Sequence, residues 1–499
     1  MDVSHHNEGP VPDPLSQPPT ETTKVEGTAA RRERVGFIRS IGLLQATAIN
    51  MTQMCGIGPF ITIPLMVAAF SGPQAIVGWI AGAVLALADG LIWAELGAAM
   101  PGAGGTYLYL REAFQYRTGR LMPFLFIWTA ILSIPLIMST GVIGLVQYLG
   151  YLVPNMNWLE IHLISIVIIA IVLFALWRRI ESIGTLSTIL WAIMLISIGL
   201  VIIASLTHFN PQLAFSYPAG AFTANGHFFV GLGAGLLIGI YDYLGYNTTA
   251  YMGGEIKNPG RVLPWSIILS ILGMMVLYLA LNIGVVGVVP WQTVANSTSV
   301  ASLVLERTWG HGLAILVTVL IIITAFASVF AGLLGGSRVP YNAAQDRLFF
   351  RVFGRLHPRY HFPHIALLVM CLITAIGSFF DLTLVINTLL AVSVLIQSVA
   401  QVGALTVLRR RQPGLRRPYR EWLYPIPSLI AFVGWVYVYF SSGPLPIYLS
   451  LAWIAAGVIV FLIWARVEHT WPFGSKEVRE EYLADPLAIG EGVVEEKLA

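Results

Sequence analysis

The sequence predicts an all-α polytopic membrane protein with twelve spans, and three observations carry that prediction. Hydrophobic residues make up 57% of the 499 and charged residues 11%, against roughly 45–50% and 25% in soluble proteins; mean hydropathy is +0.76. The stretches 41–88, 121–159, 182–241, 262–305, 308–337, 382–408 and 422–465 contain no Asp, Glu, Lys or Arg, and a soluble fold needs charge at its loops and surfaces far more often than that. Finally, with alternating helices and a cytoplasmic N-terminus, 27 of the 28 Lys and Arg fall on the cytoplasmic side, leaving only Arg307 outside. The positive-inside rule therefore sets the topology, with both termini cytoplasmic in the plasma (inner) membrane.

Other classes drop out on the same arithmetic. An outer-membrane barrel alternates apolar and polar residues over about ten-residue strands, and these runs do not alternate. The two cysteines, Cys55 and Cys371, each lie inside an apolar run and imply neither a disulfide framework nor a metal site. The net charge of +3 is small, and nothing suggests nucleic acid. The histidines show no metal-ligand spacing, and no nucleophile elbow, phosphate loop or metalloprotease motif is present, so neither a cofactor nor an enzymatic activity is expected. The partners expected are the lipid bilayer and a small molecule.

A span needs about 20 mostly apolar residues. Cutting the runs at Pro/Gly/Asn loops and Arg clusters gives spans at 41–70, 74–99, 121–149, 158–177, 183–206, 227–252, 264–289, 311–338, 363–381, 383–408, 424–442 and 446–466. Residues 1–35, polar and rich in proline, read as a disordered cytoplasmic tail without the apolar core of a signal peptide. The remaining division is 36–210 for spans 1–5, 211–410 for spans 6–10, 411–466 for spans 11–12, and 467–499 for a polar cytoplasmic tail.

Backbone groups in hydrocarbon must be satisfied internally, so an interrupted helix in mid-span is informative. The first span contains Cys55-Gly56-Ile57-Gly58-Pro59-Phe60, where two glycines and a proline remove helix propensity and one donor. The sixth contains Gly239-Ile240-Tyr241-Asp242-Tyr243-Leu244-Gly245-Tyr246-Asn247. A carboxylate in mid-membrane costs roughly 2.5–3.5 kcal/mol on insertion scales, so Asp242 needs a cavity, a partner or a proton. Breaks in spans 1 and 6 are the placement expected if spans 1–5 and 6–10 form inverted repeats, each opening with a discontinuous helix. Half-helix N-termini then face an anionic group and freed carbonyls face a cation or ammonium. The plainer alternative is that these glycines only let helices approach closely.

The strings Gly56-Ile57-Gly58-Pro59-Phe60, Ala94-Glu95-Leu96 and Met100 to Phe114, Gly254-Glu255-Ile256-Lys257-Asn258-Pro259-Gly260, and Gly336 to Asp346 resemble, in order and spacing over about 40–466, amino acid permeases of the amino acid–polyamine–organocation (APC) superfamily. The resemblance implies the five-plus-five inverted-repeat transporter fold. It implies that the Gly56–Gly58 segment holds a substrate carboxylate through backbone N–H groups, and that Tyr241 to Gly245 supplies carbonyls to the substrate amine and an aromatic gate. The stretches 101–111 and 341–356 become cytoplasmic re-entrant or amphipathic elements flanking an inner gate. The chain departs from the family pattern at three points. Ile57 stands where many members have a small hydroxyl residue. No lysine occurs in 183–206, where Trp191 lies near the position that proton-coupled members fill with one. Asp242 replaces a small or neutral residue, and with the glycine-proline-phenylalanine order it leans toward the polyamine branch.

Weighed singly, Asp242 reads as a counter-ion to a substrate amine, a proton carrier or a structural pair. Cys55, Gly56, Ile57, Gly58, Phe60, Tyr241, Asp242, Tyr243 and Gly245 form the candidate substrate site. Phe60, Tyr241, Tyr243 and Tyr246 either cover the substrate, stacking on its amine, or simply pack, and so does Trp128. Glu95, Tyr107 and Glu255 read as gate or structural residues, Glu95 pairing with a loop arginine, while Asp89 is a hydrogen-bonded interior acid or a proton relay. Thr324 and Ser328 could ligate sodium, or cap carbonyls of their own helix. The expected function is a secondary transporter of amino acids or related organic amines, driven by a Na+ or H+ gradient or by exchange. The alternatives are a polyamine carrier and, from another class, a non-transporting substrate sensor or a channel.

Overall fold

The computed structural model describes residues 39–102, 105–177, 183–360 and 362–467; the tails expected at 1–35 and 467–499 lie outside that range, apart from Val467. In chain order the helices are α1 (Leu43–Cys55), α2 (Gly58–Phe70), α3 (Ile76–Ala99), α4 (Thr106–Thr118), α5 (Leu121–Leu152), α6 (Trp158–Leu176), α7 (Ile183–Thr207) and the short α8 (Pro211–Ala214). There follow α9 (Gly226–Tyr243), α10 (Thr248–Tyr251), α11 (Pro259–Val288), α12 (Trp291–Ala295), α13 (Val300–Thr308), α14 (His311–Gly336) and α15 (Arg338–Gln345). The last are α16 (His364–Gly377), α17 (Leu382–Ser393), α18 (Ala400–Arg411), α19 (Ile426–Ser441) and α20 (Pro444–Val467). A wide π turn, Val394–Val399, joins α17 to α18. Among the described residues the only β pairing is one bridge, Ile41 with Ile256.

Seven of these helical segments are long and apolar enough to cross a membrane, or eight if the bent pair α1–α2 counts as one. Four shorter apolar helices lie at Trp191–Thr207, Phe228–Tyr243, His364–Gly377 and Ile426–Ser441. Local chemistry sets several starts. Asn157 opens α6 with a capping box, its Oδ1 accepting from the Glu160 N–H (2.9 Å) while Glu160 accepts from the Asn157 N–H (2.8 Å). Asn225 and Asp381 cap α9 and α17 by accepting from the N–H groups of Phe228 and Thr383.

The helices pack around α3, α5, α9, α11 and α14, and the core includes the buried rings of Trp79, Trp93, Tyr148, Tyr243, Tyr278 and Phe60. Loop contacts gather the arginine-bearing segments at one end. There Tyr107 donates to Asp346 (2.9 Å), Thr106 to Gln401 (2.7 Å) and Arg120 to the Arg347 carbonyl (3.4 Å). At the opposite end the Asn210 N–H donates to the Gly287 carbonyl and Trp309 to Thr207.

Candidate functional site

The first break is a bend of 52° between α1 and α2. Gly56 takes φ +27°, ψ −133°, in the left-handed half of the map that glycine occupies without penalty. Pro59 has no N–H, and Phe60 donates to the Ile57 carbonyl (3.1 Å). Among the described residues the N–H groups of Ile57 and Gly58, at the mouth of α2, donate to no backbone carbonyl. Ile57 turns its side chain onto Gly144 of α5.

The second break follows α9. Leu244 is extended (ψ 131°) and Gly245 has φ +117°, before Thr248 resumes a helical turn. The two breaks touch: a Cβ on Gly245 would come within 3.0 Å of the Met54 backbone N and 2.9 Å of the Gln53 carbonyl carbon. Only glycine fits both the dihedral and the space.

Asp242 sits at this junction, 1% exposed. Its Oδ2 accepts from the Thr62 hydroxyl, which also lies 3.0 Å from the Gly58 carbonyl of its own helix. Its Oδ1 has no hydrogen-bond partner among the described residues and faces the bare α-carbon of Gly58, where a Cβ would collide with it. The hydroxyls of Tyr241 and Thr140 hydrogen-bond at 2.6 Å. On α11, the Tyr278 hydroxyl reaches the carbonyls of Met54 and Asp242, both at 2.9 Å, so one proton serves an oxygen from each break. The Tyr278 ring lies tilted against Trp79 and edge-on to Tyr243, at 5.0 and 5.3 Å between centroids.

The structure thus brings Cys55, Gly56, Gly58, Tyr241, Asp242 and Gly245 together. Phe60 packs edge-on against Tyr148, and Tyr243 is buried against Tyr278 and Trp79. Trp128 is engaged in packing, stacked on Trp453 and donating to its carbonyl (2.8 Å). Ser328 of α14 lies beside the first break, its Oγ 3.1 Å from where a Gly56 Cβ would be. Thr324 donates to the Leu320 carbonyl of its own helix (2.8 Å).

The remaining acids fall elsewhere. Asp89 of α3 accepts from Tyr246 (2.5 Å) and from Trp435 Nε1 (3.0 Å), tying α19 to the second break. Glu95 lies at the arginine-bearing end, bonded to Arg409 through Nε (2.9 Å) and a terminal nitrogen. It also pairs with Arg417 (3.3 Å) and accepts from the Glu421 N–H (2.7 Å). Burial pushes the Glu421 carboxyl up from its ordinary value, although Ser428 donates to it and Arg409 stands nearby. Glu255 shows no ion pair among the described residues; its carbonyl accepts from the N–H groups of Ser40 (3.0 Å) and Ile41 (3.1 Å).

Sequence reasoning passed over Thr62, Thr140 and Tyr278. Thr62 had a signal, since four residues past Gly58 places it on the same helix face as the break. Tyr278 lies in an apolar run with no proline or glycine interruption beside it, and only the packing of α11 against α1 and α9 brings it in. No group of three or more His, Cys, Asp or Glu that could hold a metal is found among the described residues.

Comparison with known proteins places this geometry in a family. The family model described as "Amino acid permease" matches residues 41–472. The Serine/threonine exchanger SteT of Bacillus subtilis is 28% identical over 82% of this chain and 92% of its own length. The Branched-chain amino acid permease BcaP of the same organism is 23% identical over 86% and 93%, and the mouse (Mus musculus) Asc-type amino acid transporter 1 is 28% identical over 86% and 82%. With the family match running over most of its length, the chain belongs to the amino acid permease family: a multi-pass membrane protein of amino acid transport, not an enzyme.

Proposed function

We propose that this permease is a secondary active transporter of amino acids or related organic amines, working by alternating access around the junction of the two breaks. Asp242 carries the reading. A buried carboxylate with one oxygen unpartnered, facing Gly58, is costly unless a ligand or a proton completes it. A substrate ammonium, or a proton, is that complement, while the N–H groups of Ile57 and Gly58 receive the substrate carboxylate. Tyr241 closes over the bound molecule. Residues 36–210 and 211–410 are the two inverted repeats. The seven long apolar helices, the bent pair and the four shorter ones supply twelve spans, with both termini cytoplasmic in the cell membrane.

The energy comes from an ion gradient or from substrate exchange. A relative named as an exchanger supports exchange, and Ser328 beside Gly56 supports a cation close to the first break. Asp242 favours one second reading, a polyamine carrier, in which an aliphatic diammonium replaces the amino acid. A sensor or a channel built on the same helices differs in flux.

The test is uptake and counterflow in proteoliposomes, with amino acids and diamines at two pH values, with and without sodium. Saturable counterflow is expected; binding without flux means a sensor, and unsaturable flux a channel. Asp242→Asn is expected to abolish uptake of cationic substrate or to flatten its pH dependence. An unaltered transport profile in that variant removes Asp242 from the mechanism.

A further inference from the structure

Away from the breaks, at the arginine-bearing end, a cavity of about 210 Å³ lies between the end of α6, the α14–α15 corner and the start of α16. Leu334, Leu356, Phe362 and Leu367 form its apolar wall, with Ser337 and Arg338 among its polar lining. Arg338 is exposed and has no carboxylate partner among the described residues. Between Asp346 and Asp381 the chain carries no acid, but it carries Arg347, Arg351, Arg355 and Arg359. An aromatic collar borders the cavity: Trp177 meets Phe362 edge-on at 5.2 Å, and His357 stacks on Phe362 at 5.5 Å. Tryptophan and its neighbours sit this way at membrane–water interfaces.

We propose that this cavity binds an anionic phospholipid, its phosphate on Arg338 and the upper part of an acyl chain against Leu334, Phe362 and Leu367. The apolar wall decides against free phosphate, which would lose water there and gain contact on one side only. The charge pattern decides against a zwitterionic lipid, because no acid stands within this loop to receive a choline or ethanolamine head, whereas a basic pocket between membrane helices suits an anionic one. The proposal is independent of what the transporter carries.

Native mass spectrometry of the delipidated full chain in detergent tests it, with phosphatidylglycerol, phosphatidylcholine or inorganic phosphate added in separate arms. The expected result is a retained phosphatidylglycerol adduct that phosphatidylcholine does not reproduce and inorganic phosphate does not displace. Arg338→Gln should weaken retention about fivefold, the effect of one basic residue at an anionic lipid. Leu356→Trp, which narrows the cavity from its exposed edge, should weaken retention with Arg338 intact. Melting curves without lipid check that both variants fold. Equal retention of the two lipids, displacement by phosphate alone, or retention unchanged in both variants overturns the proposal.

Discussion

The two half-helices that meet at Gly56 and Ile57 have thirteen residues each and are held in different ways. In α2 ten residues are buried, in α1 only four. The far end of α2 is sealed by close approach: a Cβ on Gly231 of α9 would come within 2.9 Å of the Ala69 carbonyl, and one on Gly235 would enter the Phe70 ring. By contrast α1 leaves more of its surface open; it packs on α11 and carries discrete polar ties as well. These are Tyr278 to the Met54 carbonyl and Asn50 Oδ1 accepting from the Thr249 N–H (3.0 Å), with the bridge between Ile41 and Ile256 just ahead of the helix. Gln53, two residues before α1 ends, is exposed, while Gly56, Gly245 and Ser328 are partly so. Apolar burial is lost only in proportion to the area opened, whereas hydrogen bonds can be broken one at a time. Local opening is cheapest where fewest residues are buried, so α1 is expected to loosen before α2.

The largest effect is expected at the ion cluster that holds the arginine-bearing end together. Glu95→Gln leaves Arg409 and Arg417 without their shared partner, and breaking a buried pair costs about 3–5 kcal/mol. Thermal unfolding in detergent reads this, and an unchanged midpoint would mean that packing, not charge, holds that end. Gly245→Ala comes next. It must leave φ +117° and push against the Gln53–Met54 backbone, at a cost of about 1–3 kcal/mol. Alkylation of the buried Cys55, with Cys371 replaced first, should accelerate in this variant, while a cysteine placed at Ile63 in α2 stays protected. If both positions open alike, the two half-helices are not held differently. Tyr278→Phe removes one hydroxyl shared by Met54 and Asp242 and costs about 0.5–1.5 kcal/mol; it should speed Cys55 labelling less than Gly245→Ala does.

The smallest effect concerns pH. Because burial raises the Glu421 carboxyl in the folded protein, its neutral form suits the fold. Its contribution is fully present below the ordinary carboxylate range and is lost as pH rises through the raised value. Glu421→Gln should therefore match the native chain in acid and melt slightly higher at neutral pH. The reverse order would show that the charged form, held by Arg409 and Ser428, is the one the arginine-bearing end uses.

Much of the helix pattern was legible because lipid leaves few options. The boundaries of α3, α6 and α7 fall within three residues of the apolar runs, since charge and turn residues mark where backbone leaves hydrocarbon. The breaks at Gly56–Gly58 and around Gly245 were legible because glycine and proline change backbone energetics locally. The turn Val394–Val399 was not, since its sequence reads as ordinary helix and nothing in it marks the wider spacing. Glu95 was expected to meet a loop arginine, but which arginines lie there depends on how the 412–425 segment folds back.

The sequence by itself determined that this chain lives in a membrane as a helical bundle, and that a carboxylate falls close to one interruption. Those are properties of composition and of single peptide units. The sequence placed Asp242 within the break, whereas the structure puts it in the last turn of α9, just before it. Only the tertiary structure decided that the interruptions touch, that Asp242 faces Gly58 with one oxygen unpartnered, and that Thr62 and Tyr278 meet them there. Such contacts join residues 36 to 224 positions apart, and their geometry comes from helix packing that no local pattern encodes.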